Sequence, residues 1–227
     1  NPSEAIRFDG YTKSKWVSEK MVTTAQLRGL PVSIYRPAMI TGHSKTGVAN
    51  VNDLMNRLIK GFVQLGYAPS FDMMFNIAPV DYFSKGAIYI SRQEESLGKT
   101  FNFINPQPVS MTQFVETINA CGYSVQQVCH KQWEDLLRNN IESLDSIVSV
   151  LTSKTSEKGL SYLEKCSVGA NLTSCKNVIN GLKGTTIVCS PINAQLLSTY
   201  LFYYIRSGFL KMPEICNGKQ PVMSLSM

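Results

Sequence analysis

The stretch "GYTKSKWVSEKMVTTAQLRGLPVSIYRPAMITG", residues 10–42, decides how the chain is read. It sets Tyr11 four residues before Lys15, which on a helix puts both side chains on one face, about one turn apart. From Thr12 to about Arg28, helix-forming residues carry Trp16, Val17, Val22 and Ala25 at broadly helical spacing. "RGLP" closes that helix, because Gly29 suits the left-handed position after a helix and Pro31 forbids continuation. Residues 31–37, "PVSIYRP", read as a short strand of β-favouring residues ending at a proline. Helix, tight turn and strand in that order are the local grammar of an α/β sheet.

Downstream, "AMITGHSKTGVAN" is a loop, and residues 51–66 form an amphipathic helix with Leu54, Leu58, Phe62 and Leu65 inward. "APVDYFSKGAIYISR" reads as a strand end entering a helix, with Asp81 as its cap and Ala87, Ile88 and Ile90 as packing residues. Residues 98–106 form a strand stopped by Pro106, and the next helix, capped by Ser110 or Thr112, ends near Gly122. More helix is expected from there to about Ser153, with Trp133, Leu136 and Leu137 in its core. The polar, glycine-punctuated residues 153–176 read as a loop with short helices, and an apolar helix closes the chain from Asn193. The tail after Pro213 is expected to fray.

Tyr11 and Lys15 are either a proton donor with its activator or two neighbours on a solvated helix face. A free phenol has a pKa of ~10, too high for proton exchange at neutral pH, and a lysine one turn away lowers it by charge. The same ammonium can hold the sugar hydroxyls of a dinucleotide. The strand and the "RPAMITG" loop behind the pair favour the chemical reading.

With "YTKSKWVSEKMV", "GLPVSIYRPAMITGHSKTG", "PVDYF" and "TFNFINPQPVS" in place, the chain resembles the extended short-chain dehydrogenase/reductase superfamily. Within it, the resemblance is closest to the terminal thioester reductase domains of nonribosomal peptide synthetases, polyketide synthases and carboxylic acid reductases. It spans residues 10–115 and returns in the closing helix "INAQLLSTYLFYYIRSGF". The resemblance implies that Tyr11 donates the proton, that Lys15 binds the nicotinamide ribose and lowers the Tyr11 pKa, and that Pro37 and Ile40 line the nicotinamide side. Arg36 is expected to support the strand end. His43 stands where relatives often carry an acidic residue and is given no role.

The implied fold is α/β: the C-terminal part of a Rossmann-like sheet (residues 1–42 and 77–105) plus a mainly helical substrate lobe (43–76 and 106–227). The implied reaction is NADPH-dependent reduction of a carrier-bound acyl or peptidyl thioester to an aldehyde or alcohol. A phosphopantetheinylated carrier protein is then the partner. Phosphate cradles need glycine so that backbone amides can approach the pyrophosphate. The chain has no GxxGxxG turn and no βαβ unit before Tyr11, so an upstream Rossmann half is expected as a second partner. Two alternatives are another extended reductase or epimerase acting on a nucleotide sugar or small carbonyl, and an inactive substrate-side or carrier-docking module.

Composition narrows the remaining classes. The apolar fraction of 44% and aromatic fraction of 10% over 227 residues suit a folded core rather than disorder. The net charge of +6 is spread along the chain without a basic run interleaved with aromatics, which argues against nucleic acid. No stretch approaches the ~20 apolar residues of a membrane span, and "NPSEAIRFDG" is no signal peptide, so a cytoplasmic location is expected. Cys121, Cys129, Cys166, Cys175, Cys189 and Cys216 lack CxxC spacing and read as free thiols, and no metal is expected.

Overall fold

The Tyr11 helix, α1 (Gly10–Leu27), is 18 residues long and leads into a turn in which Gly29 takes φ 92°, as the "RGLP" signal requires. The computed structural model describes residues 10–70, 72–140 and 174–213. β1 (Ile34–Pro37) is shorter than the expected 31–37, because the residues between Gly29 and Ser33 make no ladder. β2 (Met39–Thr41) follows after a single residue.

α2 (Leu54–Leu65) is opened by Asp53, whose Oδ1 accepts from the Met55 amide at 2.8 Å, and closed by Gly66 at φ 69°. Its Leu58 and Phe62 are buried as expected, whereas Leu54 and Leu65 are half-buried at the ends of the stripe. β3 (Tyr67–Pro69), β4 (Met74–Phe75) and β5 (Ile77–Pro79) come next, and β5 runs straight into α3 (Val80–Ser91). The expectation that Asp81 caps α3 is corrected. Pro79 is the N-cap, without a side-chain bond, because Asp81 lies inside the first turn and its carboxylate is engaged elsewhere. Ile88, expected to pack, is 63% exposed, while Ile90 is fully buried.

β6 (Thr100–Phe103) alternates half-buried Thr100 and Asn102 with buried Phe101 and Phe103, the period-2 pattern of a strand. β7 (Val109–Ser110) meets α4 (Met111–Ala120), which Ser110 and Gln113 open with a reciprocal capping box. The expectation of more helix from Gly122 onward is corrected at its start. β8 (Gln126–Val128) intervenes before α5 (His130–Asn139), which meets that expectation, and residues 141–153 lie outside the described residues. α6 (Lys176–Gly181) and α7 (Ala194–Arg206) complete the order, with Asn193 Oδ1 accepting from the Leu196 amide at 3.0 Å.

Among the described residues four short ladders result. β1 pairs with β6, β2 with β5 and β3 with β8, all parallel, while β4 and β7 are antiparallel. Among the described residues two apolar clusters hold them. One, around Tyr82, Ile90, Phe101 and Phe103, lies under β1, β5 and β6. The other, larger, joins α2, α4, α5 and α7, with Phe75 stacked on Phe114 at 4.4 Å and the Phe62 ring edge-on to Trp133 at 5.8 Å. Burying each such aromatic contributes about 1.5–3 kcal/mol. α6 packs on the sheet-side cluster through Val178 and Leu182, although its sequence position falls in the segment expected to build the lobe.

Among the described residues no helix is long and apolar enough to cross a membrane. Cys121, Cys129, Cys175 and Cys189 are free thiols, and Cys166 and Cys216 lie outside the described residues.

Candidate active site

On α1 the side chains of Tyr11, Lys15 and Glu19 follow one another at intervals of four residues, so they share a face. Lys15 Nζ stands 5.5 Å from the centroid of the Tyr11 ring, and Tyr11 is 69% exposed, leaving its hydroxyl open to an approaching ligand. One turn further on, Glu19 is held by Arg36. The guanidinium donates through Nε to Glu19 Oε2 at 2.9 Å and through Nη2 to Oε1, and Nη1 reaches Asn102 Oδ1 at 3.5 Å. Arg36 therefore ties the Tyr11 helix to the strand that ends in Pro37, a more specific task than the strand support expected of it.

Pro37 is the last residue of β1, opposite Phe103, and Ile40 lies in β2 opposite Ala78. Pro37 sits at the carboxyl end of a parallel strand, where open α/β sheets bind their ligands, and Ile40 lies one residue before the end of the next. Pro37 is exposed and Ile40 is half-buried against the sheet-side cluster.

The loop that follows, residues 41–48, is fixed from three sides. From α3, Asp81 Oδ1 accepts from the Ser44 amide at 2.8 Å and Oδ2 from the Ser44 hydroxyl at 2.9 Å. Burial alone would raise the Asp81 carboxyl. The two Ser44 hydrogen bonds, with His43 nearby, outweigh burial and hold it below its ordinary range. From α7, the Tyr200 hydroxyl lies 2.9 Å from Thr41 Oγ1 and donates to the Gly42 carbonyl at 3.1 Å. Tyr200 is fully buried, and that burial raises its phenol well above the usual value. Within the loop, His43 Nδ1 accepts from the amides of Lys45 at 3.2 Å and Thr46 at 3.4 Å. His43 is thus half-buried and organises a turn.

Sequence reasoning named Tyr11, Lys15, Pro37 and Ile40; it did not single out Glu19, Ser44 or Tyr200, and it read Asp81 as a cap, which the structure gives to Pro79. Glu19 was legible as the next member of the four-residue series. Thr41 and Tyr200 are 159 positions apart, and that separation left no local signal.

The family model for male sterility protein (NAD_binding_4) matches residues 3–87. The non-canonical nonribosomal peptide synthetase cpsA of Aspergillus campestris is 33% identical over 209 residues, spanning 86% of this chain and 20% of that protein. The glycine betaine reductase ATRR of Emericella nidulans is 29% identical over 212 residues, spanning 92% of this chain and 16% of that protein. The crystal structure of the terminal R domain from the myxalamid PKS-NRPS biosynthetic pathway superposes with a TM-score of 0.81 at 37% identity, over 91% of this chain and 52% of that one. Parallel ladders, the Tyr11 helix and these matches define an extended short-chain dehydrogenase/reductase fold. Within that superfamily the chain is similar to the terminal reductase domains of nonribosomal peptide synthetases. It spans about half the length of the solved relative and a smaller share of the curated ones.

Proposed function

We propose that the protein to which this chain belongs reduces a carrier-bound acyl or peptidyl thioester with NADPH and releases it as an aldehyde, or as an alcohol after a second reduction. The observation that carries this reading is Lys15 Nζ at 5.5 Å from the Tyr11 ring, on an open helix face tied to the end of β1. An exposed phenol and ammonium beside the carboxyl end of a parallel strand fit a nicotinamide and its ribose. Lys15 would bind the ribose hydroxyls, and residues 37–40 would line the ring. The bound cofactor supplies the hydride.

Tyr11 then acts on the oxygen. As the carbonyl carbon gains hydride, the π pair moves to oxygen, and the Tyr11 hydroxyl donates its proton there, with the phenolate stabilised by the Lys15 charge. Collapse of the thiohemiacetal breaks the C–S bond, giving aldehyde and the carrier thiol.

Two partners follow from the same reading. A phosphopantetheinylated carrier protein presents the thioester, and the net charge of +6 suits an acidic one. The other partner is a complementary α/β half. Among the described residues β1 has a strand along one edge only, α1 leaves Val17, Met21 and Leu27 exposed, and Val17 and Met21 line a shallow groove with Trp16, Ala25 and the exposed Leu30 of the following turn. Of the described residues, we propose that 10–42 and 77–105 belong to the sheet and 43–70, 72–76, 106–140 and 174–213 to the lobe, with α6 packed on the sheet side.

The test is turnover by the full-length protein of an acyl thioester on a carrier protein, with a nucleotide sugar as the competing substrate. Tyr11→Phe should lower thioester turnover at least about 100-fold while NADPH affinity stays near wild type. Wild-type rates in Tyr11→Phe, or turnover of the nucleotide sugar alone, would overturn the assignment.

A further inference from the structure

Three features of the loop at residues 41–48 set it apart from an ordinary surface connection. Its backbone is anchored by side chains from two different helices, α3 and α7, through Asp81 and Tyr200. Its glycines are packed without slack: a Cβ on Gly42 would stand 2.8 Å from the Gly47 carbonyl and 3.1 Å from the Tyr200 ring. A Cβ on Gly47, at φ 71°, would meet the Thr199 carbonyl at 2.2 Å. The loop also begins at Thr41, the residue after Ile40, so displacement of the loop moves the β2 end directly.

We propose that Tyr200 and Asp81 are positioning residues that set the backbone of residues 41–48 and, through it, of residues 37–40. This rests on the reading above, in which residues 37–40 face the nicotinamide. Neither side chain touches the reacting atoms. Asp81 holds the middle of the loop by taking both the amide and the hydroxyl of Ser44. Tyr200 holds its start, with one hydroxyl shared between Thr41 Oγ1 and the Gly42 carbonyl. Because Tyr200 belongs to the lobe helix and Thr41 to the sheet, the bond sets the lobe against the strand ends where ligand is expected.

A second tyrosine provides the control. Tyr204, one turn further along α7, is equally buried and donates its hydroxyl to Asn56 Oδ1 on α2, whose Nδ2 donates to the Asn50 carbonyl at 2.7 Å, so it bonds to no atom of residues 41–48. Tyr200→Phe and Tyr204→Phe remove the same atom from the same helix at the same burial. Ser44→Ala, which alters only the loop side of the Asp81 contact, covers the case in which a core variant fails to fold.

The experiment measures, in the full-length protein, hydrogen exchange at the amides of His43, Ser44 and Gly47 together with KM for NADPH and kcat. Tyr200→Phe should speed exchange at these amides and raise KM about tenfold, the weight of one buried hydrogen bond, with a smaller change in kcat. Ser44→Ala should move both readouts in the same direction by less, and Tyr204→Phe should leave both near wild type. Equal effects in Tyr200→Phe and Tyr204→Phe, or unchanged loop exchange in both Tyr200→Phe and Ser44→Ala, would overturn the proposal. Exchange is read without turnover, so a protein that does not reduce thioesters would refute the proposed reaction while the exchange data still decide whether the loop is held.

Discussion

Asp81 is half-buried, which disfavours its charge, yet the Ser44 amide and hydroxyl and the nearby His43 favour it by more, so its folded pKa lies below the ordinary 3.8. A depressed carboxylate contributes stability that is present above the unfolded pKa and lost as pH falls through the folded one. Asp81→Asn should therefore destabilise the protein at neutral pH, and the gap between wild type and variant in chemical denaturation should narrow below about pH 4. Asp53, raised by burial despite its amide bonds, has the opposite sign: its contribution improves as pH falls. A gap for Asp81→Asn that stays constant down to acid pH would show that the Ser44 contact carries no charge term. Arg36 and Glu19 differ again, since their side chains are 47% and 38% exposed and their attraction is screened. Glu19→Gln should cost at most about 1 kcal/mol of stability, and less in high salt.

The helices that were legible in the sequence are those whose signals are local. α2, α4 and α7 each begin at an Asp, Ser or Asn that caps its own first turn, and α2 ends at a positive-φ glycine that its apolar stripe points to. β8 was not legible, because "QQV" has little strand character and exists as a strand only through its partner, with Tyr67 opposite Gln126. The candidate site divides the same way. Tyr11, Lys15 and Glu19 are a spacing within one helix, whereas the anchoring of the loop depends on α3 and α7 being folded against it. Gly47 could be seen as a turn residue, but its closeness to the Thr199 carbonyl could not. Gly47→Ala should accordingly cost at least about 2 kcal/mol, since the left-handed backbone and the contact with α7 both oppose a methyl group. Gly184, also at positive φ but with nothing within 4 Å, should cost only the backbone part when changed to Ala. Equal losses at the two glycines, measured by thermal unfolding, would refute the role of α7 contact.

Across the whole molecule, stability is expected to be uneven, because burial is. α7 places Leu196, Leu197, Tyr200, Leu201 and Tyr204 in the larger cluster, while α1 leaves Val17, Met21 and Leu27 exposed at 49%, 69% and 84%. Helices in water owe most of their stability to tertiary packing of an apolar face, and local opening follows where that packing is thin. In the 227-residue chain alone, amides of α1 should therefore exchange much faster than those of α7, even though α1 is the longer helix, 18 residues against 13. Covering the exposed apolar side chains of α1 with the proposed complementary α/β half would add about 1.5–3 kcal/mol for each one fully buried. Exchange of α1 amides should slow by two orders of magnitude or more, at about tenfold per 1.4 kcal/mol, with α7 little changed. The comparison also separates the two functional classes. A reductase completed by that half should gain α1 protection and NADPH binding together, whereas a docking module should gain protection without binding the cofactor. If α1 is already as protected as α7 in the isolated chain, its exposed face is self-sufficient, and the argument for a covering half fails.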